Sequence, residues 1–294
     1  MARRTPDIRR TWLFGPGADA HVHEAMLASG ADVLIVDLED FTPPERRPEA
    51  RKLLPEFVRR SSQQDSLAAV RINHLDQDGG LDLESAMRAG CEIILYPMTE
   101  RAEQIQELDA AIASHETALE RPVGQTEIIP VCETALGVVD VRSIASASGR
   151  VTCAILGAED LAADLCAERG SDAIELDYAR RRFVLECRAA RIEPIDAPYT
   201  YSDLEGAERE ARYSRRLGYL SKALVRPDHS SSLNSVFTPS ADEVKVAGKI
   251  VKAFEAARSQ GEDRVLVDNQ WVEVPTYRNA CALIHRAKRL GVLQ

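Results

Sequence analysis

Acidic residues gather where short apolar runs of this chain end. Asp37-Leu38-Glu39-Asp40 follows one run, Glu133 follows Ile128-Ile129-Pro130-Val131-Cys132, Glu159-Asp160 closes the run that begins at Val151, and Asp196 closes another. Several carboxylates around one opening would repel each other at low local dielectric and hold their protons unless a cation compensates. A hard divalent ion with oxygen ligands is the economical compensation, and Mg2+ accepts few protein ligands because it keeps waters and substrate oxygens. A single acid after an apolar run is more often a helix N-cap or a solvated loop residue. Glu133 departs from that pattern as the only charge in an otherwise neutral stretch, and Asp160 ends a second run of the same kind. Two such residues on adjacent strands favour a functional role.

Arg71 is the lone cation on an apolar run, Leu67-Ala68-Ala69-Val70-Arg71-Ile72-Asn73. It suits a structural pairing with Asp37 or Glu39, and equally a bidentate grip on a substrate carboxylate; the two roles are compatible. The histidines carry less. His21 and His23 lie two apart on an expected helix and so do not share a face. His74 and His229 read as solvated loop residues and His285 as structural. Lys222 sits inside an apolar run where a Schiff base is chemically conceivable, but the carboxylate cluster favours a metal-dependent route. No G-x-S-x-G elbow anchors a serine mechanism.

The elements that must carry these residues alternate regularly. Apolar, β-branched runs at residues 12–14, 33–36, 67–72, 92–96, 127–131, 151–156, 192–195 and 219–225 read as strands covered on both faces. Helical periodicity fills the gaps at 20–29, 81–89, 101–119, 177–191 and 205–217, with Asp19 as an expected N-cap. Gly30, Gly90 and Gly218 stop three of these helices just before a strand, as expected where the chain enters the left-handed region to turn back. Eight strand-then-helix units predict an α/β (β/α)8 TIM barrel over residues 1–238. An open doubly wound sheet is the competitor, but neither a G-x-G-x-x-G nor a Walker A sequence occurs. Residues 239–294 read as a C-terminal helical and lid extension: a helix at 240–260, an extended or hairpin stretch at 265–274, and a closing helix at 279–290.

Composition is compatible with this plan. The 294 residues are 45% hydrophobic and 29% charged, enough for a large core. A net charge of −10 disfavours a nucleic-acid partner. The basic residues Arg3, Arg4, Arg9 and Arg10 read as a solvated arm. The start lacks an apolar leader and no run is long enough to span a bilayer, so no membrane partner is expected. Six cysteines without C-x-x-C spacing fit a reducing cytoplasm.

The set Leu13-Phe14-Gly15-Pro16-Gly17, Asp37-Leu38-Glu39-Asp40, Val70-Arg71-Ile72-Asn73, Glu133-Thr134-Ala135-Leu136-Gly137 and Leu156-Gly157-Ala158-Glu159-Asp160 resembles the HpcH/HpaI aldolase and citrate lyase superfamily. Within it the likeness is to the citrate lyase β-subunit-like branch, which includes malyl-CoA and citramalyl-CoA lyases. Each motif is short, but their order and spacing over roughly residues 9–285 make the combination specific. The resemblance implies a TIM barrel that assembles as a homotrimer or hexamer and uses Mg2+, with Mn2+ as a substitute. It implies a 2-oxo acid and a CoA or acyl-carrier thioester as reactants. Glu133 and Asp160 match the metal-binding carboxylates and Arg71 the arginine for the substrate carboxylate. Glu39 matches an acid near metal-bound water, Asp37 a support for Arg71, and Gly15-Pro16-Gly17 the turn that receives the thioester end. Glu159 reads as a supporting residue.

There are departures from the family pattern. Pro97-Met98 stands where Pro-Lys is usual, Leu161 where Tyr is frequent, and Arg226-Pro227-Asp228-His229 replaces a His- or Asn-Pro-x-Gln stretch. In Asp268-Asn269-Gln270-Trp271-Val272-Glu273-Val274-Pro275 the lid aspartate of relatives is matched by Glu273, one methylene longer. If that stretch is extended, Trp271 and Glu273 project to one face. The reading is a metal-dependent carbon–carbon lyase that uses Arg71, Glu39 and Glu273 on a 3-hydroxy-3-carboxyacyl thioester. The alternatives are thioester hydrolysis or malate-synthase-like condensation on the same scaffold, a CoA-independent 2-oxo acid aldolase, and a noncatalytic metabolite-binding barrel.

Overall fold

Strands that are apolar on both faces need cover on both, and eight of them closed into a ring wrapped by helices provide it. The structure, a computed structural model, describes residues 4–293. Its elements in chain order are β1 (Thr11–Pro16), α1 (Ala20–Ala28), β2 (Val33–Asp37), α2 (Arg47–Gln63), β3 (Leu67–Arg71), α3 (Gly80–Arg88), β4 (Ile93–Tyr96) and α4 (Ala102–Ala118). There follow β5 (Glu127–Cys132), α5 (Ala135–Val139), α6 (Val141–Ser146), β6 (Cys153–Leu156), α7 (Glu159–Asp164), α8 (Asp177–Ala190), β7 (Glu193–Tyr199), α9 (Leu204–Leu217) and β8 (Ser221–Leu224). Strands β1 to β8 pair in sequence order, all parallel, and β8 returns to β1. This is the expected (β/α)8 barrel.

Alternate residues of the strands fill the interior, as a period of two requires. Trp12 and Phe14, Val33 and Ile35, and Ile129 and Val131 are such pairs within one buried cluster. Carried two residues further along the same register, the inner face presents Asp37 after Ile35, Arg71 after Ala69, Glu133 after Val131 and Gly157 after Ile155. The strand periodicity that builds the core thus also aims these residues at the C-terminal mouth.

Local chemistry sets the helix ends. Asp19 caps α1 by accepting from the His21 and Val22 amides. Gly30, Gly90 and Gly218 have φ of +71°, +84° and +107°, the left-handed conformation that only glycine adopts without strain. Helix α2 escapes a periodicity reading because it carries two prolines. Pro48 sits in its first turn, where no amide partner is lost, whereas Pro55 interrupts its interior.

Three expectations need correction. First, β7 runs on to Tyr199, so Asp196 lies mid-strand rather than at the mouth. It is fully buried, accepts from Arg180 at 2.9 and 2.6 Å and from Lys222 at 2.6 Å, and those cations hold its pKa low against a burial that would raise it. Lys222 also donates to the Ala197 carbonyl and to Glu210, which leaves no free amine for a Schiff base. Second, His229 is buried rather than solvated, with Nε2 3.3 Å from the Ser202 carbonyl. Third, the N-terminal arginines are not a solvated arm. Arg9 is 1% exposed and forks onto Glu127 at 2.8 Å twice, while Arg10 and Arg4 both pair with Asp32. They tie the N-terminal ends of the barrel strands together. Arg3 lies outside the described residues.

The chain divides into two compact units, one ending at Asn234 and one beginning at Ser235, with helix α10 (Ser230–Phe237) running across the division. In the second unit α11 (Ala241–Ser259) starts with a capping box between Ser240 and Glu243. An antiparallel hairpin of β9 (Val265–Val267) and β10 (Gln270–Val272) follows, turning through Asp268 and Asn269, both at positive φ. Helix α12 (Val274–Arg289) begins five residues earlier than periodicity predicts, because Pro275 fits a first turn. Phe254 of α11 stacks on Tyr277 of α12 with ring centroids 4.8 Å apart. No helix among the described residues is long and apolar enough to cross a membrane.

Glu116 offers a test of the clamp at the N-terminal end of the barrel. Burial would raise its pKa, but the Arg150 fork and the Thr126 and Gly124 amides hold it at about 2. Its stabilising contribution is therefore present above the ordinary value near 4.5 and lost as pH falls through about 2. Glu116→Gln leaves Arg150 undercompensated and should cost about 3–5 kcal/mol at neutral pH. Urea unfolding across a pH series should also show a shallower fall in stability on the acid side.

Candidate active site

At the mouth, Asp37 and Arg71 face each other in the β2–β3 register. Arg71 donates from Nε to Asp37 Oδ1 at 2.7 Å and from Nη2 to Oδ2 at 2.6 Å, both groups buried. Asp37 also accepts the Glu39 and Phe41 amides at 3.0 and 3.1 Å, which shapes the turn carrying Glu39, Asp40 and Phe41. The Nε/Nη2 fork is thus committed to Asp37. What remains of the guanidinium is its end, where Nη1 lies 2.9 Å from Glu39 and Nη2 lies 3.4 Å from Asp40. Of the two readings of Arg71 the ion pair is what the structure contains, and its end face is turned to the mouth. Phe14 and Phe41 flank it, with its guanidinium carbon 5.3 and 5.9 Å from their ring centroids.

Glu133 follows β5 and is 4% exposed. Its Oε1 accepts the Met98 amide at 2.7 Å, whereas no hydrogen bond reaches Oε2. Burial pushes its pKa up to about 8, with Arg71 and the Met98 amide opposing and Asp160 and Glu39 adding to the rise. Asp160, in the first turn of α7, is also raised, by burial and then by Asp40. Glu39 is pushed up to about 7 by burial, against the pull of Arg71. The predicted carboxylates therefore share a region where negative charge is undercompensated. Among the described residues, no group of three or more His, Cys, Asp or Glu side chains forms a ready metal cage. The donor set instead offers Glu133 and Asp160 and leaves further positions to water or substrate, which is how Mg2+ is ordinarily held.

Phe14, Asp40, Arg71, Glu133 and Asp160 line one cavity of about 160 Å³. Glu39 and Asp37 reach it through Arg71. Gly15, Pro16 and Gly17 lie beside Phe14 but are not in the lining, and packing accounts for the two glycines. A Cβ on Gly15 would stand 2.3 Å from Met26 Sδ, and one on Gly17 2.7 Å from Leu38. The Gly17 amide is already bound by the Asp37 carbonyl and Thr42 Oγ1. Glu159 also lines the cavity and accepts from Thr200 and Arg169. Glu273 belongs to the second unit, exposed at the N-cap of α12; nearby Trp271 is 53% exposed with the Arg264 guanidinium 4.4 Å from its ring centroid.

Two residues that position Glu133 were not legible as such. A Cβ on Gly157 would fall 2.3 Å from that of Glu133, so the glycine makes room for the acid. Met98 takes φ +43°, unusual for a residue with a side chain, and thereby aims its amide at Glu133. Gln104 secures that turn through the Met98 carbonyl and the Glu100 and Arg101 amides. A glycine inside a quoted motif was the only available signal; backbone strain at a methionine leaves none.

The HpcH/HpaI aldolase/citrate lyase pattern matches residues 10–227, which takes in every barrel strand and both candidate metal ligands. The chain belongs to that family. It is 32% identical over 283 residues to the citrate lyase subunit beta of Haemophilus influenzae, covering 96% of this chain and 97% of the relative. To the L-malyl-CoA/beta-methylmalyl-CoA lyase of Cereibacter sphaeroides it is 31% identical over 307 residues, covering 96% and 95%. A crystal structure of CitE from Mycobacterium tuberculosis in complex with magnesium, acetoacetate and coenzyme A superposes with a TM-score of 0.75 at 26% identity, covering 95% and 98% of the two chains. This HpcH/HpaI family member is an enzyme of the lyase class, as those relatives are.

A buried acid with a raised pKa reverses the usual linkage. The folded chain holds the proton that the unfolded chain releases, so the contribution of Glu133 is most favourable below about 4.5 and is lost as pH rises to about 8. In the presence of a chelator at pH 8, Glu133→Gln should therefore be more stable than the parent by on the order of 1–3 kcal/mol. Chemical denaturation at pH 5 and pH 8 checks this; equal destabilisation at both would mean that Glu133 is a structural partner.

Proposed function

We propose that the chain is a Mg2+-dependent carbon–carbon lyase, with Mn2+ as a substitute, that cleaves a 3-hydroxy-3-carboxyacyl thioester to a 2-oxo acid and an acyl thioester. The observation that carries this is the convergence of Glu133, Asp160 and the mouth-facing end of Arg71 on one cavity. The magnesium and coenzyme A bound by the M. tuberculosis relative, and the thioester lyase activity that names the C. sphaeroides relative, support it.

Glu133 Oε2, which has no donor, and Asp160 would hold the ion. When bound there, Mg2+ supplies a Lewis acid and template for the substrate carboxylate and the adjacent oxygen. Arg71 holds the same carboxylate through Nη1 and Nη2, its orientation set by Asp37. Glu39 lies against Arg71 Nη1 and takes up the proton of the 3-hydroxyl, directly or through a water. The bond between the carbinol carbon and the thioester α-carbon breaks, and the electron pair moves into the thioester. Glu273 returns a proton to the α-carbon. The turn Gly15-Pro16-Gly17 is the proposed seat of the thioester end, carried by CoA or an acyl-carrier domain. The chain is proposed to assemble as a homotrimer or a hexamer of trimers, with Glu273 supplied by a neighbouring copy, in the cytoplasm.

Asp160→Asn, and Glu133→Gln likewise, should lower Mg2+ affinity and turnover together, by about tenfold or more, while unfolding stays cooperative. Calorimetric Mg2+ titration beside product analysis by mass spectrometry reads both. Parental affinity in both variants would remove these residues from the metal site.

For the lid, Glu273→Gln should keep parental Mg2+ affinity and lose at least 100-fold in turnover. Mixing it with Arg71→Ala and allowing subunit exchange should recover partial activity, because one intact site then forms between the two defective chains. Full activity of Glu273→Gln alone would eliminate it as the proton donor.

A further inference from the structure

We infer that a second small-molecule site lies on the outer wall of the barrel, between α8 and α9, and takes a zwitterionic α-amino acid. Its cavity of about 360 Å³ shares no lining residue with the mouth. That volume falls within the roughly 300–1,000 Å³ of ordinary small-molecule pockets.

Strand alternation builds the floor. Ile195 belongs to the barrel core, so its neighbour Asp196 points outward into the helix layer. There it meets Arg180 of α8 and Lys222 of β8, and Lys222 reaches on to Glu210 of α9. Two cations and two acids make this quartet neutral. Such a quartet can close on itself, yet two of its members keep one arm unused. Arg180, 2% exposed, donates from Nε and Nη2 to Asp196 and from Nη2 to Ser214, while its Nη1 has no hydrogen-bond partner among the described residues. The Glu210 side chain is 9% exposed; Oε1 accepts from Lys222, and Oε2 has no partner among the described residues. Both side chains line the cavity. Arg180 Nη2 lies 3.4 Å from Glu210 Oε1, so the unused donor and the unused acceptor belong to adjacent groups.

A donor beside an acceptor sets the chemistry of the ligand. A simple anion on Arg180 Nη1 would face the Glu210 carboxylate, and a simple amine on Glu210 Oε2 would face the guanidinium. A molecule carrying both charges satisfies both groups through charge-assisted hydrogen bonds and adds no net charge to a largely buried floor. The rim repeats the arrangement, with exposed Arg209 and Asp172 lining the same cavity. Asp177 is not available, because Tyr213 and Arg181 hold its carboxylate. Ile174, 75% exposed, and the ring of Tyr213 supply apolar surface beside these charges, which suits an amino acid with an apolar side chain.

The test screens the twenty standard L-amino acids against the full-length protein in EDTA, so that no divalent ion at the mouth recruits them. Thermal shift ranks them, and calorimetry then titrates the best binder, its N-acetyl derivative and its methyl ester. An amino acid with an apolar side chain should bind saturably at one site per chain. Each derivative lacks one of the two charges and should bind weaker by about tenfold or more. Arg209→Ala and Glu210→Gln should each weaken the amino acid by about tenfold, whereas Glu133→Gln at the mouth should leave its affinity unchanged. An N-acetyl derivative, or sulfate, that binds as tightly as the amino acid overturns the inference and leaves a plain anion site. Parental affinity in either Arg209→Ala or Glu210→Gln, or lost affinity in Glu133→Gln, places the ligand elsewhere and also overturns it. Failure of every amino acid to bind at millimolar concentration does the same. Should Glu210→Gln not fold, Arg209→Ala on the exposed rim and the two derivatives decide.

Discussion

The buried fork between Arg71 and Asp37 orders the mouth of this barrel. A buried ion pair is a poor source of net stability, since two desolvation penalties offset much of the attraction. Here it does something a pair of apolar residues would not. Asp37 accepts two backbone amides as well as the guanidinium, so one carboxylate fixes both the arginine and the turn that carries Glu39, Asp40 and Phe41. Burial works against the charge of Arg71, yet Asp37 and Glu39 hold its pKa above the ordinary value. Its field is also the first influence that opposes burial at Glu133.

Glu133 is the counterpart that this pair does not neutralise. The chain makes room for it by omitting a side chain at Gly157 and orients it with a Met98 amide held in an unfavourable backbone conformation. Strain and an undercompensated buried charge placed together are the signature of a group kept for binding rather than for stability. A structural acid of the same barrel looks different. Glu116 receives an arginine fork and two amides, and its pKa falls where that of Glu133 rises.

Much of this was legible in the sequence because strand register carries information twice. The alternation that marks Ile35, Ala69, Val131 and Ile155 as core also marks Asp37, Arg71, Glu133 and Gly157 as the next inward positions. The glycines after α1, α3 and α9 were readable for a similarly local reason. What escaped depends on partners distant in sequence. Asp196 looked like a mouth residue because its apolar run stops there, but β7 continues to Tyr199, and Arg180 and Lys222 allow the acid to sit mid-strand. Arg9 looked solvated because nothing near it in sequence announces Glu127, 118 positions away. Helix α2 was hidden by Pro55, which tertiary packing of Leu54 and Phe57 overrides.

The two ends of the barrel differ in how completely their charges are matched, and that contrast separates scaffold from site. At the N-terminal end, Arg9 meets Glu127, Arg10 meets Asp32 and Arg150 meets both Glu116 and Asp109, so each of these acids touches a cation. At the C-terminal end, Arg71 is shared among Asp37, Glu39 and Asp40, and Glu133 and Asp160 have no cation of their own. A barrel can close without that imbalance, since the backbone ladder and apolar core are the same all round the ring. The excess of carboxylate at the mouth therefore has no structural purpose that the fold itself supplies. It is negative charge that the protein's own cations leave undercompensated.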